Sequence, residues 1–271
     1  MARFLNPDVY VIFLLFTSLF IAINAKDNEV DHNEHPFNYL GRDKKGPKNW
    51  GHLNPKWKVC ETGKMQSPID LLDDRVTVLP RLGTLRRNYR PAPAVLRNRG
   101  HDISVTWKGD AGGIKINGVE YKLLQVHWHT PSEHTLNGTS FDMEMHLVHN
   151  NSRGDLAVVG ILYKVGRHDT FLDKFVKNLK SATAEGLSVG VVDPWGIKFG
   201  GRKYFSYWGS LTIPPCTEGV LWTVLKKVRT VSKAQIQALR DAVDDGFEWN
   251  SRPTQELKGR NVYMYEPKIN P

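Results

Sequence analysis

The sequence predicts a mainly β protein of the α+β class. It reads as one domain built on a large, twisted, mostly antiparallel β-sheet with short peripheral helices. Three observations predict it. Apolar residues alternate with period two along much of the chain, the mark of strands with a buried face. Asn117-Gly118, a strong two-residue hairpin turn, sits between two such runs. From Phe37 onward no Ser/Gly-rich linker, repeat or low-complexity block interrupts the chain, so residues 37–271 form a single domain. The composition of the 271 residues is 40% apolar, 24% charged and 10% aromatic. It excludes a collagen, a coiled coil, a disordered chain and a multi-span membrane protein. A chain of this length buries a substantial core without help from a metal.

Taken in order, residues 1–25 read as a secretory signal peptide. Arg3 gives a positive start, Val9–Ile23 is an apolar run too short for a comfortable membrane span, and Ala25 offers a cleavage point. Residues 26–36 are a polar leader. Strands follow at Asp102–Trp107, Ile114–Asn117, Val119–His129 and Phe141–His149. Leu156–Val165 is continuously apolar and should be buried on both faces. Lys203–Trp208 and Val220–Lys227 complete the expected strands. Helices are few. Ser232 with Gln235 forms a capping box, Ile236, Leu239 and Val243 give a helical stripe, and Gly246 stops it. Phe171–Leu179 reads as a second helix.

The net charge is +9, from 37 Lys and Arg against 28 Asp and Glu. The basic residues are spread out and match no nucleic-acid motif, so no nucleic-acid partner is expected. The densest cluster, Arg81, Arg86, Arg87, Arg90, Arg97 and Arg99, suggests weak binding to acidic polysaccharide. The two cysteines, Cys60 and Cys216, lack metal-site spacing. In an oxidising compartment they leave one intramolecular pairing, closing a long loop. The secretory route also gives meaning to two glycosylation sequons, at Asn137 and Asn150.

Five of the ten histidines fall between residues 127 and 149. His127 and His129 are two apart on one strand, so they share a face and can converge on one ion. His146 lies on a later strand that can pair alongside, and His149 faces the other way. Three histidines with an open fourth position form the donor set of a catalytic zinc site. Gln125 shares the face of His127, and Glu144 that of His146, where each can fix a ring by hydrogen bonding. A cupin reading of His127, His129 and Glu133 fails for want of that family's glycine and second motif.

At this point the chain resembles an alpha-class carbonic anhydrase, closest to the plant branch. The resemblance rests on GPKNWG (46–51), MQSPIDL (65–71), NRGHDISV (98–105), LLQVHWHTPSEHT (123–135), MEMHLVH (143–149), LAVVGILYKVG (156–166) and YWGSLTIPPCTEG (207–219), in order along nearly the whole domain. It implies Zn²⁺ as cofactor, with His127, His129 and His146 on the zinc ligands and Gln125 and Glu144 behind them. Asn250 would supply the carbonyl that orients His129. Thr212 falls on the threonine that accepts from zinc-bound hydroxide, and Glu133 on the glutamate that takes that threonine's proton. His101 matches the proton-shuttle histidine and Tyr39 the tyrosine of the water network. Val148, Val158, Leu211, Val220 and Trp222 would line the apolar CO₂ pocket, and Cys60 and Cys216 match the disulfide of secreted members. Two departures stand out. Ile213 replaces a second threonine beside the bicarbonate site and narrows it. Arg99 places a cation beside His101 that would lower its imidazole pKa.

The implied reaction is reversible hydration of CO₂ to bicarbonate and a proton, by zinc-hydroxide attack and proton export through a histidine shuttle. The alternative is a storage or nectar-type protein of the same family with little hydratase activity; the intact ligand set argues against a dead copy. A redox role is not supported, since no flavin or dinucleotide motif is present and zinc does not change redox state. The expected location is the secretory pathway and the cell exterior, with plastid or vacuole as alternatives, and no stable membrane anchor after cleavage. Oligomeric state is left open by the sequence.

Overall fold

The computed structural model describes residues 37–267. The signal-peptide and leader readings fall on residues 1–36, outside the described residues. The core of the architecture is a ten-strand path through one large sheet. Its order is Leu187–Val192, Ala92–Asn98, Ile103–Trp107, Val119–His129, Met143–Asn150, Leu156–Val165, Glu218–Val231, Tyr204–Ser210, Val262–Tyr265 and Val76–Val78. Most neighbours are antiparallel, as expected. The sheet is nonetheless mixed: Leu156–Val165 runs parallel to Glu218–Val231, and Val262–Tyr265 parallel to Val76–Val78. A parallel neighbour needs a long crossover, and here residues 166–217 supply it.

Val119–His129 and Leu156–Val165 have the expected boundaries. The Asn117-Gly118 turn forms with φ of 49° and 82°, the left-handed pair a tight two-residue hairpin requires. Leu156–Val165 is buried on both faces through Tyr163. Ala157, Val159, Ile161 and Tyr163 enter the larger core, and Val158 and Leu162 the smaller one on the opposite face. Glu218–Val231 is longer than expected because its polar second half still pairs with Leu156–Val165.

Two helical expectations need correction. Lys233–Arg240 forms with its Ser232–Gln235 capping box, but it ends at Arg240, short of Val243 and Gly246. Tertiary bonds take over there: Asn98 Nδ2 donates to Ala242 O at 2.6 Å, and Asp244 N donates to Gly100 O at 2.9 Å. Phe171–Leu179 is not an α-helix but two 3₁₀ segments, Leu172–Lys174 and Val176–Ser181. Its aromatic and β-branched residues have weak helix propensity, and Phe171, Leu172, Phe175 and Leu179 all bury in the core. The strands Ala92–Asn98 and Leu187–Val192 were not anticipated. Their sequences alternate poorly, and pairing alone defines them.

A bulge fixes which residues face the site. The pairing of Val119–His129 with Met143–Asn150 shifts register between Leu123 and Gln125. Below the shift, Tyr121 and Leu123 point into the larger core; above it, Val126 and Trp128 do. The extra residue therefore turns Gln125, His127 and His129 together onto the other face. His149 lies on the larger-core side, where its Nε2 meets the Tyr89 hydroxyl at 2.8 Å.

Cys60 and Cys216 form a disulfide across 156 positions of sequence, within an aromatic cluster of Phe37, Tyr39, Trp50 and Trp57. Replacing both cysteines by serine should lower unfolding free energy by about 4–5 kcal/mol on the chain-entropy estimate, measured by urea denaturation. His149 makes a second prediction. Burial pushes its imidazole down to about 4, so the unfolded chain binds its proton more readily. Stability from this residue is full above the unfolded value and is lost as pH falls through the window from about 6.5 to about 4, amounting to about 3 kcal/mol. The H149Q variant should show a flatter stability profile across that window in urea titrations.

Candidate metal centre

The register of the central strands assembles the site. His127 lies directly opposite His146, and His129 opposite Glu144, so all four share one face. The next row continues across five strands as Gln125, Val148, Val158, Trp222 and Tyr207. The face is thus a grid, with histidines in one row and an apolar wall in the next. The Trp222 ring sits 4.8 Å from that of His146. Leu211 and Val220 join Val148, Val158 and Trp222 in the same buried cluster.

Each histidine of the trio is held by its far nitrogen. His127 Nδ1–H donates to Gln125 Oε1 at 3.0 Å, and His129 Nδ1–H donates to the Asn250 carbonyl at 2.7 Å. His146 differs: its Nε2–H donates to Glu144 Oε1 at 3.0 Å. The nitrogens left facing inward are therefore Nε2 of His127, Nε2 of His129 and Nδ1 of His146. One ligand atom from each lies within 4.8 Å of the others. Burial pushes His127 well below the usual imidazole range, His129 down to about 3, and His146 down as well. All three are neutral with lone pairs available at physiological pH, the state a metal requires.

Glu144 is fully buried and accepts four N–H bonds. His146 Nε2 and His134 Nδ1 reach Oε1, and the backbone N–H groups of Glu133 and His134 reach Oε2 at 2.9 and 2.8 Å. Burial pushes its carboxyl up, but His134 and His146 together outweigh this and hold it well below the usual range. Gly160 makes room for it: a Cβ there would stand 2.8 Å from Glu144 Oε1. From His134 the chain of bonds continues to the Tyr207 hydroxyl at 2.7 Å, to Ser67 Oγ at 2.9 Å and on to the Ser210 backbone.

Glu133 is buried beside the trio, with Oε2 3.5 Å from His129 Nε2. Its Oε1 accepts the Arg252 backbone N–H at 2.8 Å. Burial pushes this carboxyl up, while the Thr212 hydroxyl, the Arg252 N–H and the Arg252 guanidinium pull it down. Three buried polar atoms here make no hydrogen bond: His129 Nε2, Glu133 Oε2 and the Tyr39 hydroxyl. Such atoms are costly unless something polar joins them. Their grouping beside three neutral imidazoles fits a bound cation with its own ligand water.

The remaining expected residues distribute unevenly. His101 is only 6% exposed, with its ring 5.6 Å from Phe37 and 6.5 Å from Phe247. Arg99 does not stand as a bare cation: its Nε and Nη2 take both oxygens of buried Asp102, at 2.7 and 2.5 Å. Asn250 ties this turn to the trio, since its Nδ2 donates to the His101 carbonyl at 2.8 Å while its own carbonyl holds His129. Ile213 packs with Phe37, Tyr39 and the disulfide and not with the apolar wall of Val148 and Trp222. Asn137 lies exposed in a turn, and Asn150 is half-buried at a strand end. Sequence reasoning missed His134, Tyr207, Ser67 and Arg252. His134 belonged to the dense histidine run and was the one recoverable. The buried Arg252, bonded to Gln66, Ser67 and Cys60, carries no sequence signal.

Fold and donor set define a class: a β-sheet protein with three neutral histidines converging on one face, the arrangement that binds zinc with one position open. A family model for the eukaryotic-type carbonic anhydrases matches residues 45–266. Alpha carbonic anhydrase 4 of Arabidopsis thaliana is 53% identical over 247 residues, covering 91% of this chain and 92% of the relative. A crystal structure of dioscorin complexed with ascorbate superposes with a TM-score of 0.84 at 44% identity, over 87% of this chain and 100% of that one. The alpha-carbonic anhydrase of Thermovibrio ammonificans, in complex with the inhibitor sulfanilamide, gives 0.77 at 32% identity, over 85% and 100%. The chain belongs to the eukaryotic-type, or alpha, carbonic anhydrase family.

Glu144→Gln leaves the shape of the side chain but removes the charge that four donors share. Zinc affinity should fall about 10–100-fold, measured by competition with a chelator, with the far-ultraviolet circular dichroism retained.

Proposed function

We propose that the protein catalyses the reversible hydration of CO₂ to bicarbonate and a proton, with zinc held by His127 Nε2, His129 Nε2 and His146 Nδ1. The observation that carries this reading is the convergence of three neutral nitrogens beside Thr212, Glu133 and a dry wall on a single sheet face. Zinc in that position supplies a Lewis acid that brings a coordinated water to a pKa of about 7, the figure established for carbonic anhydrases themselves.

The chain's own residues do the rest. Gln125, the Asn250 carbonyl and Glu144 fix the three rings, so the donor set needs no reorganisation. Glu133 accepts the Thr212 hydroxyl proton, which leaves Thr212 Oγ as an acceptor towards the reacting oxygen and sets its orientation. Val148, Val158, Leu211, Val220 and Trp222 exclude water and offer apolar CO₂ a place without binding it tightly. Tyr39 directs its hydroxyl among the carboxylates of Glu133 and Asp102, whose charges, after burial, push its pKa up and keep it a donor. His101 relays the product proton outward past Phe37 and Phe247. An imidazole suits that task because its ordinary pKa lies near physiological pH.

The secretory route remains part of the proposal. The Cys60–Cys216 disulfide supports an oxidising compartment, and among the described residues no helix is long and apolar enough to cross a membrane. Exposed Asn137 is the sequon we assign to glycosylation.

Stopped-flow CO₂ hydration with zinc analysis on the same purified sample tests the reading. One zinc per chain with turnover, both lost in His127→Ala, is the expected result. Zinc without turnover would favour the storage alternative. His101→Ala should lower kcat by at least about tenfold, leave kcat/KM near wild type, and regain turnover in imidazole buffer. An unchanged kcat would remove His101 from the proton path.

A further inference from the structure

A second cleft opens below the bulge, where two short strands join the sheet. The short strands Arg86–Arg87 and Gly113–Ile116 pair with each other, and Gly113–Ile116 pairs in turn with the first half of Val119–His129. Register places Arg86 opposite Lys115, Lys115 opposite Glu120, and Gly113 opposite Lys122. These partners share a face. On it opens a cleft of about 310 Å³ lined by Arg86, Arg90, Lys115 and Lys122, together with the carboxylates of Asp110 and Glu120. All six side chains are exposed. Asp110 neutralises Arg90 at 2.5 Å, whereas among the described residues no ion pair engages Arg86, Lys115 or Lys122.

Arg87 also lines the cleft, but it stands opposite Ile114, so its side chain leaves on the other face of this edge strand, towards an aromatic platform beyond the cleft lining. Its guanidinium lies over the rings of Trp195 and Phe199, 4.5 and 4.2 Å from their centroids, and Nη1 donates to Ile197 O at 2.7 Å. These contacts hold Trp195 in place while leaving it 46% exposed. A fixed, exposed indole is not needed for the packing of the core.

We propose that this cleft binds an acidic oligosaccharide, with sugar carboxylates on Arg86, Lys115 and Lys122, and that the sugar chain passes around the edge strand to set a ring against the Trp195 indole. Three cations without ion-pair partners call for an anionic ligand. Asp110 and Glu120 select among anions. They repel a polyphosphate, but a uronic acid polymer brings hydroxyls that donate to them. An amphipathic ring with one face exposed suits the apolar face of a sugar. The inference is independent of the CO₂ reading, because the cleft and the histidine trio share no residue.

Calorimetric titration with oligogalacturonate tests it on the full-length mature protein, beside a neutral oligoglucoside, inorganic polyphosphate and anionic phospholipid vesicles. Wild type should bind oligogalacturonate and not the neutral sugar. The double variant R86A/K122A should lose about tenfold or more in affinity and show a shallower salt dependence. Trp195→Ala should weaken binding with the salt dependence unchanged, because stacking is not ionic. All variants should keep wild-type CO₂ hydration, which also reports that they fold. Absence of oligogalacturonate binding, binding indifferent to both variants, or equal or tighter binding of polyphosphate or vesicles would each overturn the proposal.

Discussion

The carboxylate of Glu144 holds the site together. A fully buried charge survives only when paired and hydrogen-bonded, and this one collects four N–H donors. Two come from the backbone of residues 133 and 134, one from His134 and one from His146. A single side chain thus fixes the loop that carries Glu133, the tautomer of His146 and the start of a hydrogen-bonded chain to Tyr207, Ser67 and Ser210. The last of these precedes Leu211 and Thr212. The two sides of the site, one carrying Glu133 and the other Thr212, are therefore tied together through the protein interior.

That network demands a rigid support, and the sheet provides it. The Met143–Asn150 and Leu156–Val165 strands are central, with neighbours on both sides. Side chains on such strands have almost no freedom, so the geometry of the histidine trio is set by register and not by flexible loops. The cost is a narrow tolerance around the carboxylate. Gly160 is the clearest sign, since even a methyl group there would press on Glu144.

Much of this was legible beforehand, and the limits are instructive. The histidine trio, Gln125 and Glu144 could be read from two-residue spacing, because strand alternation is a local property. The face they share emerged without knowledge of the bulge before Gln125, since the signal lay wholly above it. Edge strands such as Leu187–Val192 stayed hidden because their partners, and not their sequences, make them strands. The Lys233–Arg240 helix announced its start through Ser232 and Gln235. Its end was set by bonds with the Asn98 amide and the Gly100 carbonyl, distant in sequence. His101 was found by motif, but its burial under Phe37 and Phe247 depends on contacts across the fold. Arg99 is of the same kind: its charge is visible in the sequence, whereas its bidentate closure onto Asp102 is visible only in three dimensions.

Asn250 gives the design a mechanical character. Its carbonyl grips His129, its amide nitrogen grips the His101 backbone, and its amide oxygen accepts the Thr130 N–H at 2.8 Å. The His129 ring and the turn bearing His101 are thereby bolted to one small plate. When thermal motion displaces the plate, both travel with it, and the distance between them changes less than the position of either. The fold cancels drift between the two parts in the way an optical bench does, by mounting source and detector on one rail.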